Sequence, residues 1–445
     1  MANTHLTRTN GSPTNPKKYT WSSWNKIDSN AWMPFFSTTH QGGHSYIGFS
    51  ASSDSFGVIE HGDSAGTLYY VATSAVQRDN SGWYHVVVQF DSTQSTASDR
   101  VKLYINNELQ TSLSQTTYPS QNLDSWLCDA TTIEIGRRSA GSGQYYSGLI
   151  SHAHFIDGTI YGPSTFGETD STNGEWKIKT DPGISTANYG NNGFWMFKDD
   201  NSYNDDSGNG NNFSLGGGTL TKTESNPSNV FATWNPLWSQ SNGNVGDVTF
   251  SNGNTTTITS VNYRTTPANL GMKTGKYYWE VKRNEDSGSN DLHGGIMSEL
   301  ATPANTATWI GNAANGWVNA GDGGEKYTGG TSGGSTGAQA ANSGDIMMFA
   351  YDADNGKLYF GVNGSWGNSA NPATGANPHY DSLDTTLFYF PCVSTGSDCS
   401  VNFGNGYFGT TAISSAGTNA SGIGLFEYNV PTGFTALSTK GINSF

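Results

Sequence analysis

The chain has 445 residues, and its 21 Lys and Arg against 36 Asp and Glu leave a formal charge of -15. That balance opposes any sequence-independent attraction to phosphate backbones or anionic lipid, so nucleic acid and membrane insertion are not expected. With 57 Gly, 13% aromatic and only 13% charged residues, the composition has too much burial material for a disordered chain and reads as turn-rich β structure in two or three domains.

Residues 1–18, with Gly11, Pro13 and Pro16, read as an irregular arm. The near-alternation of Tyr19, Trp21 and Trp24 then opens a strand. Eight short segments follow, SYIGFSAS, FGVIEHG, TLYYVATS, WYHVVVQF, RVKLYINNEL, TTIEIGR, GLISHAHFIDG and GFWMFKD. Each is rich in β-branched and aromatic residues and bounded by Gly, Asn, Asp or Ser, the pattern of a sandwich or barrel. Residues 199–228, DDNSYNDDSGNGNNFSLGGGTLTKTESNPS, are dominated by turn formers and read as a Gly/Asn-rich linker. The strand pattern resumes in DVTFSN, TTTITSVN, KYYWEVKR, HGGIMS, TWIGN, GWVNAG, DIMMFAYD, KLYFGVN, LFYFPCVS and CSVNFGN. Within this second set the Gly-rich residues 321–345 are expected to form a long loop.

One phrase occurs twice. FAYDADNGKLYFGVNGSW, residues 349–366, and VVVQFDSTQSTASDRVKLYINNEL each run an apolar strand into an Asp, cross a polar turn, and return through Lys-Leu-Tyr to an Asn-containing turn. Asp354-Asn355-Gly356 and Asn363-Gly364 supply the residues that tolerate φ > 0 in tight turns. The fold expected is therefore all-β, two tandem antiparallel β-sandwiches of jelly-roll, lectin-like type, over 19–198 and 229–445.

No basic n-region leading into an apolar run opens the sequence, and no stretch approaches the roughly 18 apolar residues of a membrane span. The expectation is a soluble protein made in a cytoplasm. The odd count of three cysteines, Cys128, Cys392 and Cys399, does not suggest a disulfide framework. A local Cys392–Cys399 bridge across a turn and two buried thiols both remain open.

WYHVVVQFD, RVKLYINNEL and IGRRSAGSGQYYSGLISHAHFIDG resemble the laminin G-like, concanavalin A-like family across most of residues 19–165. YYWEV, GDIMMFAYDADNGKLYFGVNGSW and FPCVSTGSDCSVNFG resemble a SPRY domain in order and spacing. The tandem, with HLTRT, YPSQN, TFGETD, DDSGNGNNF, SNVFATWNPL and FEYNVPTGFTALSTKGI, is similar to virion proteins of marine tailed bacteriophages. That resemblance implies a virion surface protein assembled in the host cytoplasm, multicopy or homo-oligomeric, with other tail or capsid proteins and host cell-surface polysaccharide as partners. It implies a tail-fibre-like appendage, or alternatively a capsid decoration protein. A polysaccharide depolymerase is the third reading.

Catalysis finds little support in the residues. HGDSAG, His61–Gly66, surrounds its Ser as some hydrolases do, but no partnered base accompanies it and a hairpin turn is expected. Glu134, Glu280, Asp352 and Asp354 are isolated rather than paired across a sugar-sized gap. No cofactor is called for. Ca²⁺ is a candidate at Asp199, Asp200, Asp205 and Asp206, whose hard oxygens suit it although turns select the same residues. His40, His44, His152 and His154 are weaker metal candidates than they are satisfied side chains. For glycans, flat aromatic faces beside turns single out Trp126, Tyr145, Tyr146, Trp309, Tyr327 and Trp366. The acidic surface is expected to favour neutral or cation-bridged sugars over sulfated ones.

Overall fold

The computed structural model describes residues 3–444 except 28–32, 41–42, 50–54, 63–65, 80, 139–143, 173, 199–201, 239–247, 260–263, 285–291, 303–308, 322 and 397. The chain divides into two compact units, Met1–Lys222 and Thr223–Phe445.

The first unit contains β1 (His5–Thr9), β2 (Lys18–Ile27), β3 (Met33–His40), β4 (Gly43–Phe49), β5 (Ser55–Gly62), β6 (Gly66–Val76), β7 (Tyr84–Asp91), β8 (Val101–Ile105), β9 (Glu108–Leu109), β10 (Leu113–Thr117), β11 (Thr132–Ile135), β12 (Gly148–Asp157), β13 (Gly167–Thr169), β14 (Trp176–Ile178), β15 (Phe194–Met196) and β16 (Ser214–Gly217). An eight-stranded sheet, β10-β6-β5-β4-β3-β11-β1-β16, faces a six-stranded sheet, β15-β12-β2-β7-β8-β9. Between them Trp21, Phe36, Ile47, Phe56, Val58, Val86, Val88, Phe155 and Phe194 are fully buried in one core. Trp21 of one sheet stacks on Phe36 of the other, centroids 5.0 Å apart, and large aromatics of this kind supply much of the apolar area that holds a sandwich together. A smaller apolar layer, Val87, Ile156, Phe166, Tyr189 and Trp195, covers the other face of the six-stranded sheet.

Two segments are more ordered than their composition implies. In the expected arm, HLTRT forms β1, because Leu6 reaches the core while its backbone pairs with β11 on one side and β16 on the other. In the expected linker, Phe213 is buried in the same core and β16 completes the sheet. Short polar strands of this kind owe their order to partners distant in sequence, which local pattern does not reveal.

The second unit contains β17 (Thr249–Ser251), β18 (Thr256–Ile258), β19 (Arg264–Pro267), β20 (Lys276–Arg283), β21 (Leu292–Ser298), β22 (Gly316–Ala320), β23 (Glu325–Thr328), β24 (Thr331–Ser335), β25 (Ile346–Asp352), β26 (Lys357–Val362), β27 (Ser365–Trp366), β28 (Tyr389–Thr395), β29 (Cys399–Asn402), β30 (Tyr407–Phe408), β31 (Thr411–Ala412) and β32 (Thr435–Ala436). One sheet runs β17-β18-β29-β20-β25-β26-β27, with β32 added in parallel to β20, and the other runs β19-β28-β21-β22-β23-β24. Trp279, Val281, Phe349, Phe360 and Val401 from the first meet Leu292, Ile296, Tyr389 and Val393 from the second. Gly294 is required at this contact, since a Cβ there would lie 2.4 Å from the Phe349 ring. Two tandem antiparallel β-sandwiches, as the strand pattern implies, make up the molecule.

Within the expected long loop at 321–345, residues 325–335 form a hairpin. β23 and β24 pair through a turn at Gly329 and Gly330, with φ of 56° and 74°, values that suit two-residue hairpin turns and that glycine adopts without strain. Its glycines hid the strands, having little β propensity and no apolar alternation. TWIGN, expected as a strand, is a 3-10 turn over Ile310–Asn312. Cys392 and Cys399 are buried free thiols on strands of opposite sheets, so the local bridge does not form.

Candidate functional site

The aromatic residues picked out by the sequence lie in four places. At one rim of the first unit, a 3-10 turn, Trp126–Cys128, follows Ser125, whose side chain caps it by accepting from Leu127 N at 3.4 Å. The half-buried Trp126 ring stacks on His40 at 4.9 Å and 18°, and His40 Nδ1 meets Asp129 Oδ2 at 2.8 Å. Burial pushes the Asp129 carboxyl up, with His40 opposing. Gly43 leaves room for this arrangement, because a Cβ there would come within 2.7 Å of the Trp126 ring. A flat ring beside an imidazole and a carboxylate offers a stacking face with hydrogen-bonding edges, which is what a pyranose requires.

On β4 and β5 next to this rim, His44 and His61 are cross-strand partners with rings 5.4 Å apart. Arg138 reaches His44 Nδ1 at 3.3 Å and Gln144 at 2.8 Å, and lies 6.0 Å from the Tyr46 ring centre. The sequence singled out His44 but not Arg138, because His44 meets His61 only through the register of β4 and β5, and Arg138 reaches His44 from the segment after β11. His61 also meets Thr67 Oγ1 at 3.1 Å. Asp63 and Ser64 of the HGDSAG segment lie outside the described residues.

Tyr145 sits beside His5, with rings 5.8 Å apart. Tyr146 packs edge-on against Phe35 at 5.5 Å and places its hydroxyl within 3.0 Å of Lys26 O and Leu149 O, so its contacts are internal to the fold.

In the second unit, Trp309 and Tyr327 come together, centroids 5.0 Å apart, with His293 4.6 Å from Trp309. Tyr327 donates to Glu325 at 2.8 Å. They close a small apolar cluster of Met297, Ile310, Val318 and Cys392 on the six-stranded sheet. Trp366 belongs to the other sheet and packs edge-on against Tyr278 at 6.3 Å. A polar cleft of about 220 Å³ in the first unit, lined by Gln89, Asp91, Gln94, Asp99, Lys102 and Ile160, carries none of the expected residues.

Of the Ca²⁺ candidates, Asp199 and Asp200 lie outside the described residues. The Asp205 carboxylate accepts from Trp195 N, Ser207 N, Ser207 Oγ and Asn211 N at 2.8–2.9 Å, tying its loop to β15. Asp206 donates its backbone N–H to Trp195 O. Among the described residues no three His, Cys, Asp or Glu side chains are grouped to hold a metal ion. His154 Nδ1 meets Tyr189 Oη at 2.9 Å, and burial holds this imidazole well below its usual range. His152 Nδ1 meets Ser151 Oγ at 2.8 Å. The isolated acids have structural partners: Glu134 pairs with Arg137 at 2.9 Å, Asp352 with Lys276 at 2.9 Å, and Asp354 accepts from Gly275 N at 2.8 Å. Glu280 is buried and accepts from Tyr278 Oη, Tyr428 N, Glu427 N and Asn402 Nδ2.

Comparison with known proteins agrees with this geometry in the first unit. Residues 2–161 match a laminin G-type family described as the concanavalin A-like lectin/glucanases superfamily, to which the first unit is similar over this stretch. A solved structure similar to the chain is the SPRY domain of human HERC1, at 17% identity and a TM-score of 0.30, covering 38% of this chain and 96% of that one. No curated protein matches the sequence. No helix among the described residues is long and apolar enough to cross a membrane.

Proposed function

We propose that the protein is a non-catalytic surface component of a bacteriophage virion, a tail-fibre-like appendage that holds host cell-surface polysaccharide through its concanavalin A-like first unit. The observation that carries this reading is the rim where Trp126 stacks on His40 and His40 pairs with Asp129. An aromatic face edged by fixed polar groups suits a shallow sugar site. The resemblance of the tandem to marine phage virion proteins supports placement on the particle, and many copies would turn a weak site into firm attachment by raising the effective concentration of neighbouring sites. The structural partners of Glu134, Glu280, Asp352 and Asp354 favour binding over glycoside hydrolysis.

The test is adsorption of the full chain, multimerised on beads, to envelope polysaccharide from susceptible strains. Trp126→Ala should weaken it roughly tenfold, the loss of about 1.4 kcal/mol of ring contact, with the thermal midpoint nearly unchanged. A multimeric form that adsorbs to no susceptible strain would sink the reading. Antibody labelling of intact particles tests the location, with label at the tail expected and label spread over the head overturning the tail assignment.

A further inference from the structure

His85, on β7, is fully buried where the β13–β14 hairpin meets the six-stranded sheet, and both of its ring nitrogens are engaged. Trp176 Nε1, on β14, meets Nδ1 at 3.1 Å, and Ser22 Oγ, on β2, meets Nε2 at 2.9 Å. An indole N–H only donates, so Nδ1 must accept, and the ring's one proton sits on Nε2 and points to Ser22. The contacts alone thus define a neutral imidazole. Trp24 stacks on it at 4.8 Å and 18°, and Gly167 seats the Trp176 ring, since a Cβ there would come within 2.4 Å of that ring. Among the described residues β13 and β14 pair with each other and with no strand of either main sheet. Buried Phe166 and Ile178 anchor the base of the hairpin, whereas Trp176 is half-buried beside a tip of exposed residues. The bond from Trp176 to His85 is what ties that tip to the sheet.

We infer that the β13–β14 hairpin is held by an acid-released latch: a second proton on His85 turns Nδ1 from acceptor to donor, sets N–H against N–H at Trp176, and frees the tip while Phe166 and Ile178 keep the base in place. The titratable groups on the elements packed around His85 are His152 and His154 on β12, Lys26 on β2, Tyr104 on β8, and Glu168, Glu175 and Lys177 on the hairpin. Those on the hairpin are exposed, and Glu168 pairs with Lys177 at 3.4 Å. His154 is buried and also held well below its usual range, in part by His85, so the two rings oppose each other's charge. Burial holds His85 at about 3, against an ordinary 6.5 that an opened tip restores. A depressed imidazole favours the closed form fully above pH 6.5 and withdraws that favour as pH falls towards 3, by up to about tenfold per pH unit. These residues are not the ones the glycan-binding reading uses, so either idea can fail alone.

The experiment is hydrogen–deuterium exchange of the full chain from pH 7.5 to pH 4, corrected for intrinsic rates. Exchange of the Glu168–Lys177 amides should rise at least about tenfold over this range while the amides of β2 and β7 stay protected. In His85→Asn the amide oxygen accepts from Trp176 as Nδ1 does and has no proton to gain, so the hairpin should stay closed throughout. Trp176→Phe lacks the donor, so its tip should exchange at the acid rate already at pH 7.5 and show no transition. A hairpin of the unaltered protein that stays protected down to pH 4 overturns the inference, and so does one that opens only together with β2 and β7. The same transition in His85→Asn assigns the opening to another group and overturns it too. Should that variant fold poorly, a transition retained in Trp176→Phe does the same, and its absence there supports the latch.

Discussion

In the first unit Lys18, Tyr19 and Trp21 run along β2 opposite Asp91, Phe90 and Val88 of β7, and in the second Lys276, Tyr277 and Trp279 run along β20 opposite Asp352, Tyr351 and Phe349 of β25. Each hairpin closes with the same bond pair. Asn106 Oδ1 accepts from His85 N while Asn106 N donates to His85 O, and Asn363 does the same with Ile346. The device is repeated, but its surroundings are not. Trp21 stacks across the sandwich on Phe36, whereas Trp279 stacks within its own sheet on Phe349 at 5.3 Å. A motif fixed by backbone pairing thus leaves its side chains to be placed by whatever the opposite sheet provides.

The largest effects expected are at these tryptophans. Either Trp→Ala substitution should cost its unit about 3–5 kcal/mol in urea unfolding, because the opposing sheets cannot close the void. Trp→Phe separates the two. Trp21 Nε1 donates to Ser23 Oγ at 3.0 Å, whereas Trp279 Nε1 has no partner among the described residues. Trp21→Phe should therefore cost about 1 kcal/mol more than Trp279→Phe, and equal costs would mean the buried indole N–H groups are equally satisfied.

Glu60 and Glu280, the two fully buried glutamates among the described residues, give effects of opposite sign. Burial raises Glu60 to about 8 and Glu280 to about 7. Each raised carboxyl contributes stability that is fully present below its unfolded value near 4.5 and is lost as pH rises through the folded value, so the chain should lose stability between pH 6 and pH 9. Glu280 uses both oxygens as acceptors, and in Glu280→Gln the amide NH₂ faces a donor, a cost of about 1–3 kcal/mol already at pH 6. Glu60→Gln puts its NH₂ where Oε1 has no partner among the described residues. It should be near neutral at pH 6 and stabilising at pH 9 by on the order of 3 kcal/mol. Calorimetry of both variants at the two pH values checks this, and a destabilised Glu60→Gln at pH 9 would contradict it.

The turn asparagines come next. Asn106 and Asn363 hold φ of 47° and 48°. Asn363 also donates to Asp345 at 2.7 Å. Replacing either with Ala removes the cap and puts an ordinary residue in the left-handed region, about 1–2 kcal/mol, with Asn363 at the upper end.

This repeat was legible because it is local: Asp, polar turn, Lys-Leu-Tyr and Asn sit within two dozen residues and mark their own geometry. β1 and β16 were not, since HLTRT becomes a strand only between β11 and β16, each more than a hundred residues away from it along the chain, and SLGG only through β1. The candidate site divides the same way. Trp126 could be picked out as an aromatic beside a turn, but its contact with His40, and the hydrogen bond its backbone N–H donates to Glu60, depend on pairings across some 65 residues or more that no spacing announces. Trp366 and Tyr146 show the converse, for a turn-side aromatic reads alike whether it faces solvent or packs inward.

The smallest effect tests whether the shared ion pair matters at all. Lys18 Nζ lies 3.2 Å from Asp91 and Lys276 Nζ 2.9 Å from Asp352, with both lysine side chains about one-third exposed. Water screens such pairs and the lysine loses rotamer freedom to make them, so Lys18→Met and Lys276→Met should each cost under about 1 kcal/mol. Asp91 has alternative donors in Thr93 and Gln94, and Asp352 has Asn355, so neither carboxylate is stranded when its lysine goes. The same substitutions at the aspartates should cost more, because the turn amides would then lose their acceptor. If the lysine variants proved the costlier pair, the charge rather than the turn would be what the two units hold in common.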